Sequence, residues 1–248
     1  MTAVDLSGAY NVRDLGGLKT KDGRETKSGV IYRGDSLDGI TPSDAEILFT
    51  RLRIGSIVDL RTKAETDLSG LLFPVPRYRF SVLPEGRLGK EPFPSDDPVE
   101  LAKVYLHNIE TGRGAVKGTL EVIAQDLEAG VATLFHCAAG RDRTGIIAAV
   151  LLGLVGVTDG EIAKDYVQSN RNARRVTRKL AENPLYANHH DRPAVILLNE
   201  KTILGFMRLL RDQYSGPRQF SLDAGVTPEV IEIIEKGFLR DQSGASAA

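Results

Sequence analysis

The stretch that most constrains this chain is residues 131–145, Val-Ala-Thr-Leu-Phe-His136-Cys137-Ala138-Ala139-Gly140-Arg141-Asp142-Arg143-Thr144-Gly145. An apolar, β-prone run ends in His136-Cys137, small residues follow, and a second apolar run from Ile146 to Leu152 begins at once. This order predicts a strand, a tight loop and a buried helix. It is also an anion cradle, because successive loop N–H groups converge on one anion and the helix N-terminus adds partial positive charge. Arg143 brings a planar fork that matches two phosphate oxygens. The same field favours Cys137 as thiolate, and a thiolate facing a bound phosphoryl group is a nucleophile with its substrate in place.

A cysteine at the end of a buried strand is ordinarily a small hydrophobe. The company of Cys137 points elsewhere. Two alanines and a glycine let the backbone approach an anion, Arg143 stands at the sixth position, and the Thr144 hydroxyl can donate to the sulfur or to a phosphate oxygen.

His136-Cys137, five residues, then Arg143-Thr144-Gly145 resembles the signature loop of protein tyrosine phosphatases. The fuller string resembles the atypical bacterial subgroup, with the loop His-Cys-x-Ala-Gly-Lys-Asp-Arg-Thr-Gly, whose best-known members are the mycobacterial PtpB-like triple-specificity phosphatases. Arg141 stands where that subgroup has Lys, so a fork replaces a point charge. Two further strings carry the resemblance: Asn11-Val12-Arg13-Asp14-Leu15-Gly16-Gly17 with Tyr32-Arg33, and Asp59-Leu60-Arg61 followed by Glu65.

The resemblance implies an α/β fold with a central, mostly parallel sheet flanked by helices. It implies hydrolysis of a phosphate monoester through a cysteinyl-phosphate. Cys137 would be the nucleophile, and Arg143 would bind phosphate with the loop residues Ala138, Ala139, Gly140, Arg141, Asp142 and Thr144. By the same resemblance Asp59 would hold and orient Arg143, with His136 supporting the loop, and no metal or organic cofactor is required. Phosphotyrosine, phosphoserine or phosphothreonine proteins and phosphoinositides all stay open as substrates. A phosphate-binding pseudophosphatase is one rival reading. A sulfur- or arsenate-handling thiolate enzyme is another, although a second, resolving cysteine would be expected and the chain has only one.

The general acid is the open position. The chain has no Trp, so the family's Trp-Pro-Asp acid loop is absent as written. Asp142 is the candidate inside the loop, since a carboxylate there repels a dianion unless it is protonated or turned toward the leaving oxygen. The alternative is that Asp142 braces the loop through Arg13 or Arg33, with Asp96 on a closing lid as the external acid. Asp97 reads better as a helix N-cap with Glu100 at N3.

The 248 residues fit one phosphatase domain over 1–240, with a lid insertion at about 82–118 and a disordered tail over 241–248. A net charge of −1 gives no global field for nucleic acid, so anion binding must come from local clusters. One cysteine excludes an intrachain disulfide. The N-terminus lacks a basic flank and an apolar core, and no apolar run approaches the roughly 20 residues a membrane span needs. The expectation is a cytoplasmic monomer, with secretion without a classical signal peptide left open. Arg171, Arg174, Arg175, Arg178 and Lys179 share one helical stripe, read either as a solvated face or as a surface for anionic lipid. His189-His190-Asp191 lacks metal-ligand spacing. Helices are expected from Thr41 to about Arg51, from Pro98, over Gly118–Leu127, from Thr158 through Tyr166, over Val195–Arg211 and from Thr227 to Leu239. Strands are expected at Ile54–Arg61 and Arg77–Val82.

Overall fold

The computed structural model describes residues 2–67, 73–84, 97–182, 186 and 197–240. Its five strands are β1 (Arg13–Asp14), β2 (Ile31–Gly34), β3 (Ile54–Asp59), β4 (Arg77–Arg79) and β5 (Ala132–His136). They form one sheet in the order β1-β2-β5-β3-β4. Only the β1–β2 pairing is antiparallel. The last strand in sequence therefore lies between two earlier ones. Gly34, His136 and Asp59 end level with one another, and such a crevice beyond the carboxyl ends of parallel strands is where open α/β sheets place their sites.

Helix starts follow local chemistry. Thr41 accepts from the N–H of Asp44 and Pro42 fills the first position of α1 (Pro42–Ala45), which runs on as a π-helix over Glu46–Arg51. A short α2 spans Lys63–Thr66. Asp97 caps α3 (Pro98–Thr111) by accepting from Val99 N–H, and α4 covers Arg113–Ala129. Next come α5 (Asp142–Leu154), α6 (Asp159–Gln168, capped by Thr158), a 3-10 turn over Ser169–Asn172 and α7 (Ala173–Ala181). The chain closes with α8 (Glu200–Tyr214), α9 (Pro217–Asp223) and α10 (Pro228–Phe238).

Strand alternation sorts the core onto two faces. Leu134 and Ala132 join Tyr32, Ile57 and Leu48 beneath the N-terminal segment and the π-helix. Phe135 and Cys137 face the other way, into a larger cluster built from α3, α4, α5, α6 and the closing helices. Ile54 and Ile57 share a face despite an odd spacing because the β3–β5 register shifts between Ile54 and Ser56. Helix α5 is apolar all round and buried along almost its whole length, as a helix covered on every side must be.

The stretch expected as a lid insertion, about 82–118, is described only in part. Residues 85–96 lie outside the described residues. Within residues 97–118, Ala102, Tyr105, Leu106, Ile109, Ala115 and Val116 belong to the larger core. Helix α3 turns its apolar side into that core. The tail from 241 and the His189-His190-Asp191 string also lie outside the described residues.

Phe135 has no exposed surface at the centre of the sheet. Phe135→Ala should therefore lower the unfolding free energy by about 3–5 kcal/mol in urea titration.

Candidate active site

The loop after β5 is shaped from behind. The Ser36 N–H donates to Ala138 O at 3.0 Å. Asn11 Nδ2 donates to Ala139 O at 3.2 Å and to Gly140 O at 3.0 Å. Arg33 Nη2 donates to Gly140 O at 2.9 Å. Three consecutive carbonyls are thus tied to the scaffold, while the N–H groups of Ala138 to Thr144 have no acceptor among the described residues. They run into the N-terminus of α5, an arrangement that attracts anions. Gly140 is obligatory here. Its φ is +66°, and a Cβ would fall 2.5–2.6 Å from the Gly34 carbonyl group and Asp35 N.

Beneath the loop lies an ion cluster with two cations and one anion. Arg13 and Arg33 both bind the Asp165 carboxylate, and all three are buried. Arg13 also donates to Asn11 Oδ1 at 2.7 Å, which turns the Asn11 amide toward the loop. Burial, and then the neighbouring Arg13, lower Arg33 to about 10, against the pull of Asp165. It stays charged at neutral pH, so the cluster leaves a net positive charge under the loop. Arg13 and Arg33 are therefore not available as the brace for Asp142 that the sequence left open. Asp165 takes them both.

Cys137 follows β5 directly and is buried. Arg143, on the first turn of α5, makes a two-pronged pair with Glu65, Nη1 to Oε2 and Nη2 to Oε1, each at 2.7 Å. Glu65 also closes the capping box of α2 by accepting from Thr62 N–H at 2.9 Å, and it accepts from the Tyr186 hydroxyl. Burial pushes the Glu65 carboxyl up, but Arg143 outweighs it and holds the group at about 2. The same carboxylate, working against burial, raises Arg143 well above its usual range.

The expectation that Asp59 orients Arg143 is corrected here. Arg61, two residues on, folds back and donates to both Asp59 oxygens at 2.8–3.2 Å. Arg61 itself reaches on to Asp38. Burial raises the Asp59 carboxyl, yet His136 and Arg61 bring it down to about 2. The carboxylate is saturated at the strand end, and Glu65 holds Arg143 in its place. His136 is fully buried, with Nδ1 3.1 Å from Cys137 O and Nε2 3.7 Å from Asp59. Burial lowers its pKa despite that carboxylate.

Asp142 is half-buried at the first position of α5 and accepts from the Tyr105 hydroxyl, which lies 2.7 Å from the Tyr166 hydroxyl. Asp96 lies outside the described residues. Arg141 stands just before Asp142 and is partly exposed. Among the described residues the buried side-chain polar atoms without a partner are Arg33 Nε, His136 Nε2, Arg141 Nε and Thr144 Oγ1. All four belong to the loop or to residues against it. Buried polar atoms without a partner are uncommon, and these four gather around one loop.

Sequence reasoning missed the roles of Glu65, Asn11, Asp165, Tyr105 and Tyr166. Only Glu65 left a local signal, the capping-box string Thr62-Lys-Ala-Glu65. The basic stripe splits in the structure. Lys179 bonds to Gly8 O, Ser36 O and Asp35, Arg175 stacks on Tyr10 at 4.2 Å, and Arg171, Arg174 and Arg178 are exposed.

The Glu65–Arg143 pair gives a pH test. A folded-state value of about 2 against the ordinary 4.5 means that ionised Glu65 stabilises the fold fully above pH 4.5. That contribution is lost as pH falls from 4.5 toward 2, and it is worth about 3 kcal/mol at about 1.4 kcal/mol per unit. Urea unfolding of the parent and of Glu65→Gln should give curves that converge over that acid window and stay apart at pH 7.

The family model described as the tyrosine phosphatase family matches residues 4–240. A protein of Cupriavidus necator, provisionally named a tyrosine-protein phosphatase, is 32% identical over 174 residues, covering 66% of this chain and 62% of the relative. A tyrosine-protein phosphatase of Nostoc commune is 33% identical over 143 residues, covering 56% and 48%. The chain thus spans less than two thirds of the length of either. The triple specificity protein phosphatase PtpB of Mycobacterium tuberculosis is 26% identical over 211 residues, covering 73% of this chain and 74% of that one. The core catalytic domain of the Saccharomyces cerevisiae PP-IP phosphatase Siw14 aligns with a TM-score of 0.39 at 15% identity, over 73% of this chain and 97% of that one. With the match running from residue 4 to residue 240, through the sheet, the loop and the helices behind it, the chain belongs to the tyrosine phosphatase family.

Proposed function

We propose that this protein hydrolyses phosphate monoesters through a cysteinyl-phosphate, with phosphotyrosine proteins as its substrate class. The observation that carries this reading is the loop itself. A thiol and an arginine stand at its two ends, its carbonyls are tied outward, and its N–H groups are unengaged among the described residues. The dianion sits in the N–H cradle of Ala138 to Arg143, with Thr144 beside it and the charge of the buried Arg13–Asp165–Arg33 cluster behind it. Arg143, held flat by Glu65, meets two equatorial oxygens and follows them as the phosphoryl group moves from oxygen to sulfur. Cys137 attacks phosphorus in line. Asp142 gives a proton to the leaving oxygen and takes one from water when the intermediate is hydrolysed. Arg61 leaves Asp59 no part in this scheme beyond fixing the strand end next to His136.

Phosphoserine and phosphothreonine proteins extend the substrate class, in keeping with a mycobacterial relative named a triple specificity protein phosphatase. A phosphoinositide is the second reading. Its support is Arg141 beside the loop and a groove of about 300 Å³ between α7 and the N-terminal segment, where Arg175, Arg178 and Lys179 outnumber the one carboxylate, Glu182, beside Tyr10. Such a face suits the surface of an anionic membrane. Among the described residues no helix is long and apolar enough to cross one.

Cys137→Ser should bind a phosphotyrosine peptide while losing turnover by several orders of magnitude. Turnover near the parent rate, on that peptide or on a generic aryl phosphate, would refute the covalent mechanism. No turnover by the parent on any aryl phosphate would leave a phosphate-binding protein instead. A panel of phosphopeptides and inositol lipids ranks the substrate classes.

Arg143→Lys keeps the charge but loses the two-pronged geometry on both Glu65 and the phosphate. We expect kcat/KM to fall at least about tenfold, or more than about 1.4 kcal/mol. An unchanged value in steady-state assays would reduce Arg143 to a structural partner of Glu65.

A further inference from the structure

Two tyrosines stand behind Asp142, and packing alone does not explain them. Tyr105 lies in the middle of α3 and Tyr166 near the end of α6, each with 1% of its surface exposed. The Tyr105 hydroxyl donates to Asp142 Oδ1 and lies 2.7 Å from the Tyr166 hydroxyl. The rings meet edge to face at 6.3 Å, and Tyr105 meets Phe206 of α8 in the same way at 6.2 Å. Tyr166 packs against Gly145 so closely that a Cβ there would fall 2.9 Å from the ring. Neither ring has room to swing. Phenylalanine would fill the same space without two buried hydroxyls that need partners.

The order of the protons follows from the groups. Burial, and next to it the charge of Asp142, push both phenols above their usual range, so both stay protonated. The other charges acting on Tyr166 are Arg141 from the loop and Arg33 from β2. A carboxylate only accepts. Tyr105 therefore directs its proton to Oδ1 and accepts in turn from Tyr166. Asp142 Oδ2 has no hydrogen-bond partner among the described residues.

We infer that Tyr105, backed by Tyr166, is a positioning residue for proton delivery, occupying Oδ1 so that Oδ2 is the oxygen that carries and hands over the proton. This rests on the reading of Asp142 as the acid. In the first half-reaction the Oδ2–H proton goes to the leaving oxygen as its bond to phosphorus breaks and the Sγ–P bond forms. The electron pair stays on Oδ2, and the Tyr105 hydrogen bond, now to a full carboxylate, strengthens. In the second half-reaction water gives a proton to Oδ2 as it attacks phosphorus, and the thiolate departs.

The test is kcat across aryl phosphates whose phenols differ in acidity, measured for the parent, Tyr105→Phe, Tyr166→Phe, Asp142→Asn and the Tyr105→Phe/Asp142→Asn double variant. Tyr105→Phe should lose at least about tenfold more on phenyl phosphate than on p-nitrophenyl phosphate, whose leaving group needs little protonation. The alkaline limb of its pH profile should move upward, because a donor that favours the charged form has gone. Tyr166→Phe should move both readouts the same way by less, and it carries the test if Tyr105→Phe loses its fold by circular dichroism. In the Asp142→Asn background the tyrosine change should add no further selectivity. If Asp142→Asn separates the two substrates and neither tyrosine variant does, the inference is overturned and the acid stands. If Asp142→Asn loses equally on both, the acid reading fails and takes the inference with it.

Discussion

The site depends on where three carbonyl oxygens go. A backbone loop can present its N–H groups to an anion only if something else engages its carbonyls, and here Ser36, Asn11 and Arg33 do so. Asp165 stands at the root of this arrangement. It fixes Arg33, which donates to Gly140 O, and Arg13, which turns the Asn11 amide onto Ala139 O and Gly140 O. One buried carboxylate on α6 thus sets the shape of a loop more than twenty residues earlier in the chain. A buried ion cluster is weak as a source of net stability. Its value here lies in geometry and in its unbalanced charge, since two guanidinium groups against one carboxylate leave a positive centre below the place where a dianion would sit.

Carboxylates at the strand ends divide the work by reach. Asp59, at the tip of β3, is so close to the chain reversal that Arg61 folds back onto it and fills its lone pairs. Glu65 stands one helical turn further on and has a longer side chain, so it crosses to Arg143 while still closing the cap of its own helix. Arg143 is thereby held flat, with little rotamer freedom left. That is preorganisation in the sense that matters for charge stabilisation.

The helices behind the loop supply what the loop lacks. Helix α5 aims its N-terminus at the loop and can be apolar all round because every side of it is covered. Helices α3 and α6 bring Tyr105 and Tyr166 to the one acidic residue inside the loop. The apolar side of α3 packs into the same core.

By itself the sequence determined the strand-loop-helix unit, the thiol and the arginine at its ends, the helix starts at Thr41, Asp97 and Thr158, and the parallel strand ending at Asp59. These were legible because each follows from contacts within a few residues: a cap with its N3 position, an apolar run with its period, a glycine with its turn. Only the tertiary structure decided that Glu65 and not Asp59 holds Arg143, that Asp165 gathers Arg13 and Arg33, and that two tyrosines stand behind Asp142. Those pairings join residues 37 to 152 positions apart. In every case several carboxylates or cations were chemically equal candidates. What chose among them was reach and saturation across the folded sheet, and no local pattern records that.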